Sequence, residues 1–136
     1  MGNFSWKRLG IAMGIGALIG GVKGVIESII KLRKVNKEIE ELDKQLDELV
    51  DRYDKIISIE NERYIQAANV EGCPEDLRNC FLEMVKLNCD LGDKLHKRDE
   101  YEAGEFIKVL EPYKALVEAE EINLRTLLVK YGIAAA

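Results

Sequence analysis

From Leu32 onward the chain repeats one pattern: Leu32, Val35, Ile39, Leu42, Leu46, Leu49, Tyr53 and Ile56 alternate in steps of three and four against Glu, Asp and Lys. Such spacing puts the apolar positions on one stripe of an amphipathic helix, expected over residues 32–69. The preceding stretch, about residues 5–30, is helical in pattern too, and the two together set a geometric limit. One unbroken helix over residues 5–69 would measure about 97 Å and could not fold into a compact monomer. The steps from Ile29 to Leu32 to Val35 are two consecutive threes. The stripe therefore shifts phase, and a break or bend is expected near residues 30–36; without it, the first helix extends and an oligomer must cover it.

Downstream, Glu71-Gly72-Cys73-Pro74-Glu75-Asp76 places glycine beyond one helix, then proline and two acids at the start of the next. The third helix, 74–96, shows the apolar face Leu77, Cys80/Phe81, Met84, Leu87/Asn88, Leu91 and Leu95 before the charged run His96-Lys97-Arg98-Asp99-Glu100. The fourth, 99–131, carries Phe106, Leu110, Tyr113, Leu116/Val117, Leu124, Leu127/Leu128 and Tyr131. Pro112 removes a backbone donor, so a kink is expected at Lys108–Pro112. Four amphipathic helices with short connections predict an all-α fold, a four-helix bundle forming a single domain over residues 1–136. Two prolines and 7% aromatics speak against a sandwich or barrel.

The formal net charge of -5 gives the whole chain no reason to seek nucleic acid or an anionic membrane. The charge is unevenly spread. Residues 1–37 hold seven bases (Lys7, Arg8, Lys23, Lys31, Arg33, Lys34 and Lys37) and one acid, Glu27, whereas residues 38–136 hold 13 bases and 24 acids. A basic, glycine-rich head thus joins an acidic helical body.

In that head, Leu9–Val22 is uncharged, and as a helix it rises about 21 Å, short of the roughly 30 Å hydrocarbon core of a bilayer. An ordinary single-pass span is not expected; insertion conditional on the protein's state is. Lys7-Arg8 ahead of the apolar run imitates a signal peptide, but no A-x-A-like site follows, so the segment is expected to be retained. Ser5 stands one position short of the myristoylation pattern. Gly10, Gly14, Ala17, Gly21, Gly24 and Ser28 form a stripe of small residues on the helix, and Ile11, Ile15, Leu18, Val22, Val25 and Ile29 form a bulky one beside it. Small stripes let helices approach closely in lipid, and each glycine weakens a water-exposed helix by up to about 1 kcal/mol. Tight packing inside a soluble bundle is the alternative use of such a stripe.

Membrane-directed residues are assigned on this basis. Phe4, Trp6, Leu9, Ile11, Ile15, Leu18, Ile19, Val22 and Ile26 are candidates for insertion, with Phe4 and Trp6 as interfacial aromatics. Gly10, Gly14, Ala17, Gly21 and Gly24 are candidates for helix packing. Lys7, Arg8, Lys31, Arg33, Lys34 and Lys37 bracket the apolar run and suit anionic headgroups, each base worth about 1 kcal/mol near such a surface. The alternative for these bases is to face the acidic body across the bundle.

Little else in the chain carries chemistry. Cys73, Cys80 and Cys89 contain no C-x-x-C, and their odd number gives no disulfide framework, so a reducing, cytoplasmic setting is expected. Cys80 and Cys89 read as small buried hydrophobes; Cys73, in the loop, would serve as a redox sensor only with a lowered thiol pKa. His96 lies two turns beyond Cys89, about 10.5 Å along the axis, and no zinc spacing occurs. Gly14-Ile15-Gly16-Ala17-Leu18-Ile19-Gly20 lacks the third glycine and the preceding strand of a dinucleotide fingerprint. The acids Glu38/Glu40/Glu41 and Glu118/Glu120/Glu121 read as solvated faces. No catalytic residue, metal site, cofactor or small-molecule substrate is expected.

The glycine-studded helix Ile11-Ala12-Met13-Gly14-Ile15-Gly16-Ala17-Leu18-Ile19-Gly20-Gly21, the basic stretch and the acidic amphipathic helices resemble the four-helix cell-death domains. These are the fungal HeLo domain, the executioner bundle of mixed lineage kinase domain-like protein, and the powdery-mildew-resistance-type coiled-coil domain of plant helper immune receptors. The segment Glu71-Gly72-Cys73-Pro74-Glu75-Asp76-Leu77-Arg78-Asn79-Cys80-Phe81-Leu82-Glu83 is similar in character to the plant version. The resemblance spans most of the chain and rests on pattern. It implies a bundle inert as a monomer that assembles into a homo-oligomer, is recruited from the cytoplasm to the plasma membrane, and inserts its N-terminal helix to permeabilise it. It also implies a pore-facing acid, for which Glu27, though late in the helix, is the one acid available. Two other readings stand beside this one: a helical adaptor or coiled-coil assembly protein whose glycine helix packs on a protein partner, and a toxin resembling pore-forming bacteriocins.

Overall fold

The computed structural model of the chain describes residues 15–35, 40–101 and 103–133, with side chains over 22–32, 44–101 and 105–133. Four helices fill these segments: α1 Ile15–Val35, α2 Glu40–Ala68, α3 Glu75–His96 and α4 Ala103–Lys130, with a 3-10 turn at Arg98–Glu100. No strand occurs among the described residues. Consecutive helices pack on each other and α4 returns to α1, closing a four-helix bundle. Its neighbours are antiparallel. Lys23 meets Glu118 where Glu27 meets Lys114, Asp54 meets His96 where Glu60 meets Asn88, and Asn123 meets Cys80 where Tyr113 meets Asp90.

α1 continues to Val35, five residues past the expected end, and takes Leu32 and Val35 from the head of the second helix's stripe. The two consecutive steps of three therefore fall in the last turns of one helix. α2 begins at Glu40 and packs back on α1, so the two described helices do not form one rod.

The α2–α3 junction is built as its sequence dictates. Gly72 takes a positive φ of 85°, which glycine adopts without strain. Arg78 Nε donates to the Ala68 carbonyl at 2.8 Å, satisfying a carbonyl left open at the end of α2. Glu75 and Asp76 occupy the first turn of α3, where the helix dipole favours negative charge. α4 begins at Ala103, later than the expected Asp99, because Arg98–Glu100 forms the separate turn. The helix runs on through Pro112. Phe106, Leu110 and Val117, buried on either side of the proline, anchor both halves.

The core is divided. One cluster joins the end of α2, the start of α3 and the end of α4 through Tyr64, Leu77, Phe81, Met84, Leu124 and Leu128, with the Tyr64 and Phe81 rings stacked 5.9 Å apart. The other draws on all four helices, through Val22, Ile26 and Ile29 of α1, Leu46, Val50 and Tyr53 of α2, Leu91 and Leu95 of α3, and Phe106, Leu110 and Val117 of α4. At the boundary lie Glu60 and Asn88, both fully buried.

Candidate functional site

α1 carries the part of the membrane-directed assignment that falls on described residues. Phe4, Trp6, Lys7, Arg8, Leu9, Gly10, Ile11, Gly14 and Lys37 lie outside them. Ile15, Ala17, Leu18, Ile19, Gly21, Arg33 and Lys34 lie on the α1 backbone, with side chains outside those described. Lys31 is exposed, as a headgroup ligand requires. Val22 and Ile26, assigned to insertion, are enclosed in the core with Val25, Ile29 and Ile30. The described members of the bulky stripe, Val22, Val25 and Ile29, thus face protein.

The described members of the small stripe, Gly24 and Ser28, face the other way. Gly24 is exposed, and a methyl group added there would meet no described atom within 4 Å. Ser28 is exposed too, and its hydroxyl donates to the Gly24 carbonyl at 2.9 Å. At this level of α1 the small residues are not used to bring another described helix of the bundle close. Gly92 is different: it is buried on α3, and a Cβ there would lie 3.4 Å from Ile57 Cδ1 of α2.

The two charges Lys23 and Glu27 of α1 are both engaged by α4. Lys23 Nζ lies 3.3 Å from Glu118, and Glu27 accepts from Lys114 Nζ at 3.5 Å. Each of these four side chains is more than a third exposed. Lys23, which stands outside the set of bases assigned to headgroups, thus faces the acidic body. Such pairs are worth about 0–1 kcal/mol each, so burial of the apolar face holds α1 in place more than charge does.

Of the two cysteines expected inside, one is buried and one is exposed. Cys73, in the loop, is buried, and burial pushes its thiol pKa up, which removes the basis for a redox sensor there. Cys80 is buried as expected, with its thiol pushed up to about 12. Cys89, expected inside, is exposed. It lies in an open groove of about 690 Å³ between α3 and α4, beside Leu87, Asp90, Leu116 and Glu120, and its sulfur accepts from Asn61 Nδ2 at 3.5 Å. His96 Nε2 sits 2.8 Å from Asp54 of α2, an inter-helix clasp. No cluster of three or more metal-binding side chains occurs among the described residues.

The acids of α4 are not merely a solvated face. Glu118 pairs with Lys23, Glu121 with Arg125 at 3.2 Å, and Glu120 has a buried Oε2 without a partner among the described residues. Glu38 lies outside the described residues, as do the side chains of Glu40 and Glu41.

Sequence reasoning passes over Glu60. Continued past Ile56, the three-four alternation lands on residue 60, and the buried line of α2 is Leu46, Val50, Tyr53, Ile57, Glu60, Tyr64 and Ala67. A charged residue on an apolar stripe is the signal that could have found it. Asn88 Nδ2 donates to Glu60 Oε2 at 3.3 Å and to Asn61 Oδ1 at 3.2 Å. Glu60 Oε1, Asn88 Oδ1 and the Tyr53 and Tyr64 hydroxyls are buried without partners among the described residues. Burial pushes the Glu60 carboxyl from 4.5 up to about 8, with the Asn88 N–H pulling the other way. It also raises both tyrosines, and the nearby Glu60 adds to the rise.

Comparison with protein families, curated proteins and solved structures gives no match to this chain. No helix among the described residues is long and apolar enough to cross a membrane.

Proposed function

We propose that this bundle is a membrane-permeabilising domain of the cell-death or toxin type, closed as a monomer and active as a homo-oligomer on anionic lipid. The observation that carries the reading is the outward face of α1 at Gly24 and Ser28, exposed and without a described helix packed closely upon it. Glycine costs helix stability, and at Gly24 no close approach by a described atom offsets it. Helices that associate in lipid use such faces. Assembly through this face, with the basic head on anionic headgroups, would let α1 exchange its core contacts at Val22 and Ile26 for lipid and neighbouring copies. Glu27, exposed and held by Lys114, would then be free to line an aqueous path.

Dye release from anionic vesicles tests the reading. Wild type should release dye, and Gly14→Glu and Leu18→Glu should not; release unaffected by both substitutions would refute it.

A second reading, a helical adaptor whose α1 packs on a protein partner, is favoured by the enclosure of Val22 and Ile26 and by the lack of a spanning helix among the described residues. Vesicle sedimentation separates the two. Wild type that never sediments with vesicles, together with loss of protein partnering on deletion of residues 1–30, would establish the adaptor.

A further inference from the structure

Glu60 is fully buried between the two core clusters, and Asn88 of α3 is its hydrogen-bond partner. Its other oxygen is unpartnered among the described residues, and no described cation is paired with it. A buried carboxylate without a counter-ion is so costly that such a group takes up a proton instead. The surroundings reinforce this. On its own helix Glu60 faces the Tyr53 and Tyr64 hydroxyls, with Asp54 also acting on Tyr53. From α3 it meets the neutral Asn88 amide. On α4, Glu121 acts on Tyr64 and Glu120 acts on Cys80. The described charges Lys23 and Glu27 of α1 are engaged by α4.

We infer that Glu60 is a proton-controlled joint between α2 and α3: a carboxylic acid while the two helices are closed, a carboxylate once they part, so that rising pH opens the bundle at its middle. The direction follows from linkage. The closed state holds the proton up to about pH 8, whereas an exposed glutamate releases it near 4.5. Between these values the open state binds fewer protons, so each pH unit favours opening roughly tenfold more. Stability contributed here is complete below about pH 4.5, falls through the window and levels off above about 8. The device depends on the fold, and it stands or falls separately from membrane activity.

Urea unfolding of the full chain between pH 5 and 8.5 tests it, with wild type beside Glu60→Gln, which keeps the shape and removes the titration. Wild type should lose stability across the window, and in the variant the opening constant should rise roughly tenfold less per pH unit. Identical pH dependence in the two would overturn the joint. Should Glu60→Gln fail to fold, carbon-13 NMR of the Glu60 carboxyl in wild type decides: a midpoint several units above other glutamates supports the joint, and a midpoint near 4.5 overturns it.

Discussion

Single positions already separate the uses to which this chain puts its small and polar residues. Gly24 occupies open space, so Gly24→Ala should stabilise the monomer by about 0.5–1 kcal/mol through helix propensity alone, read as a higher urea midpoint. On the proposed function the same change should reduce dye release, a combination that general damage to the fold would not produce. The cysteines provide a second test at this scale. Cys89 is exposed while Cys73 and Cys80 are buried with raised thiol pKa values, so alkylation under native conditions should modify Cys89 alone, with mass spectrometry placing the label. Sequence places Cys80 correctly and Cys89 wrongly. The buried line of α3 runs from Met84 through Asn88 to Leu91, which leaves position 89 one step to the side, facing out. Loop position 73 is closed over by the end of the bundle, in the cluster that holds Ala68 and Leu77.

Among the elements, α1 is the one on which the permeabilising and adaptor readings differ. Its hold on the bundle rests on the buried face of Val22, Val25, Ile26 and Ile29, with the Lys23–Glu118 and Glu27–Lys114 pairs adding little at their exposure. Ile26→Ala should therefore cost about 2–5 kcal/mol, whereas Lys114→Gln should cost less than about 1 kcal/mol, both measured by denaturant unfolding. Equal damage from the two substitutions would show that charge, rather than burial, holds α1. The stripes of α3 and α4 are legible because Leu77, Phe81, Met84, Leu91 and Leu95, and Phe106, Leu110, Val117, Leu124 and Leu128, recur at helical spacing and are buried. The α2 stripe reads one residue aside: Val50 and Ile57 are buried where Leu49 and Ile56 are only partly so. Adjacent apolar residues satisfy both alternations, and the partner helix chooses between them.

For the whole molecule, pH acts in opposite senses at two places. At the outer end of the bundle Asp76 accepts from the Tyr131 hydroxyl at 2.6 Å and from Lys130 at 3.2 Å, tying α3 to the end of α4. The Tyr131 bond is the main cause that holds the Asp76 carboxyl below its usual 3.8. A depressed carboxyl contributes stability above its unfolded value and loses it as pH falls through the folded one. The latch therefore releases in acid, below about pH 4, where the contribution of Glu60 is complete. Asp76→Asn should flatten the acid limb of stability against pH and leave the neutral limb, assigned to Glu60, unchanged; calorimetric melting from pH 2.5 to 8.5 reads both limbs in one series.

Periodicity and local charge are properties of neighbours along the chain, so the residues alone are enough to read an all-helical fold and a glycine-striped basic head joined to an acidic body. The tertiary structure alone decided which side of each stripe is inside. It set Val22, Val25 and Ile29 of α1 against the core and Gly24 and Ser28 outward, put Cys89 at the surface and Cys73 within, and enclosed Glu60 with Asn88. Burial depends on what the other three helices bring to a position, and no residue's own spacing contains that.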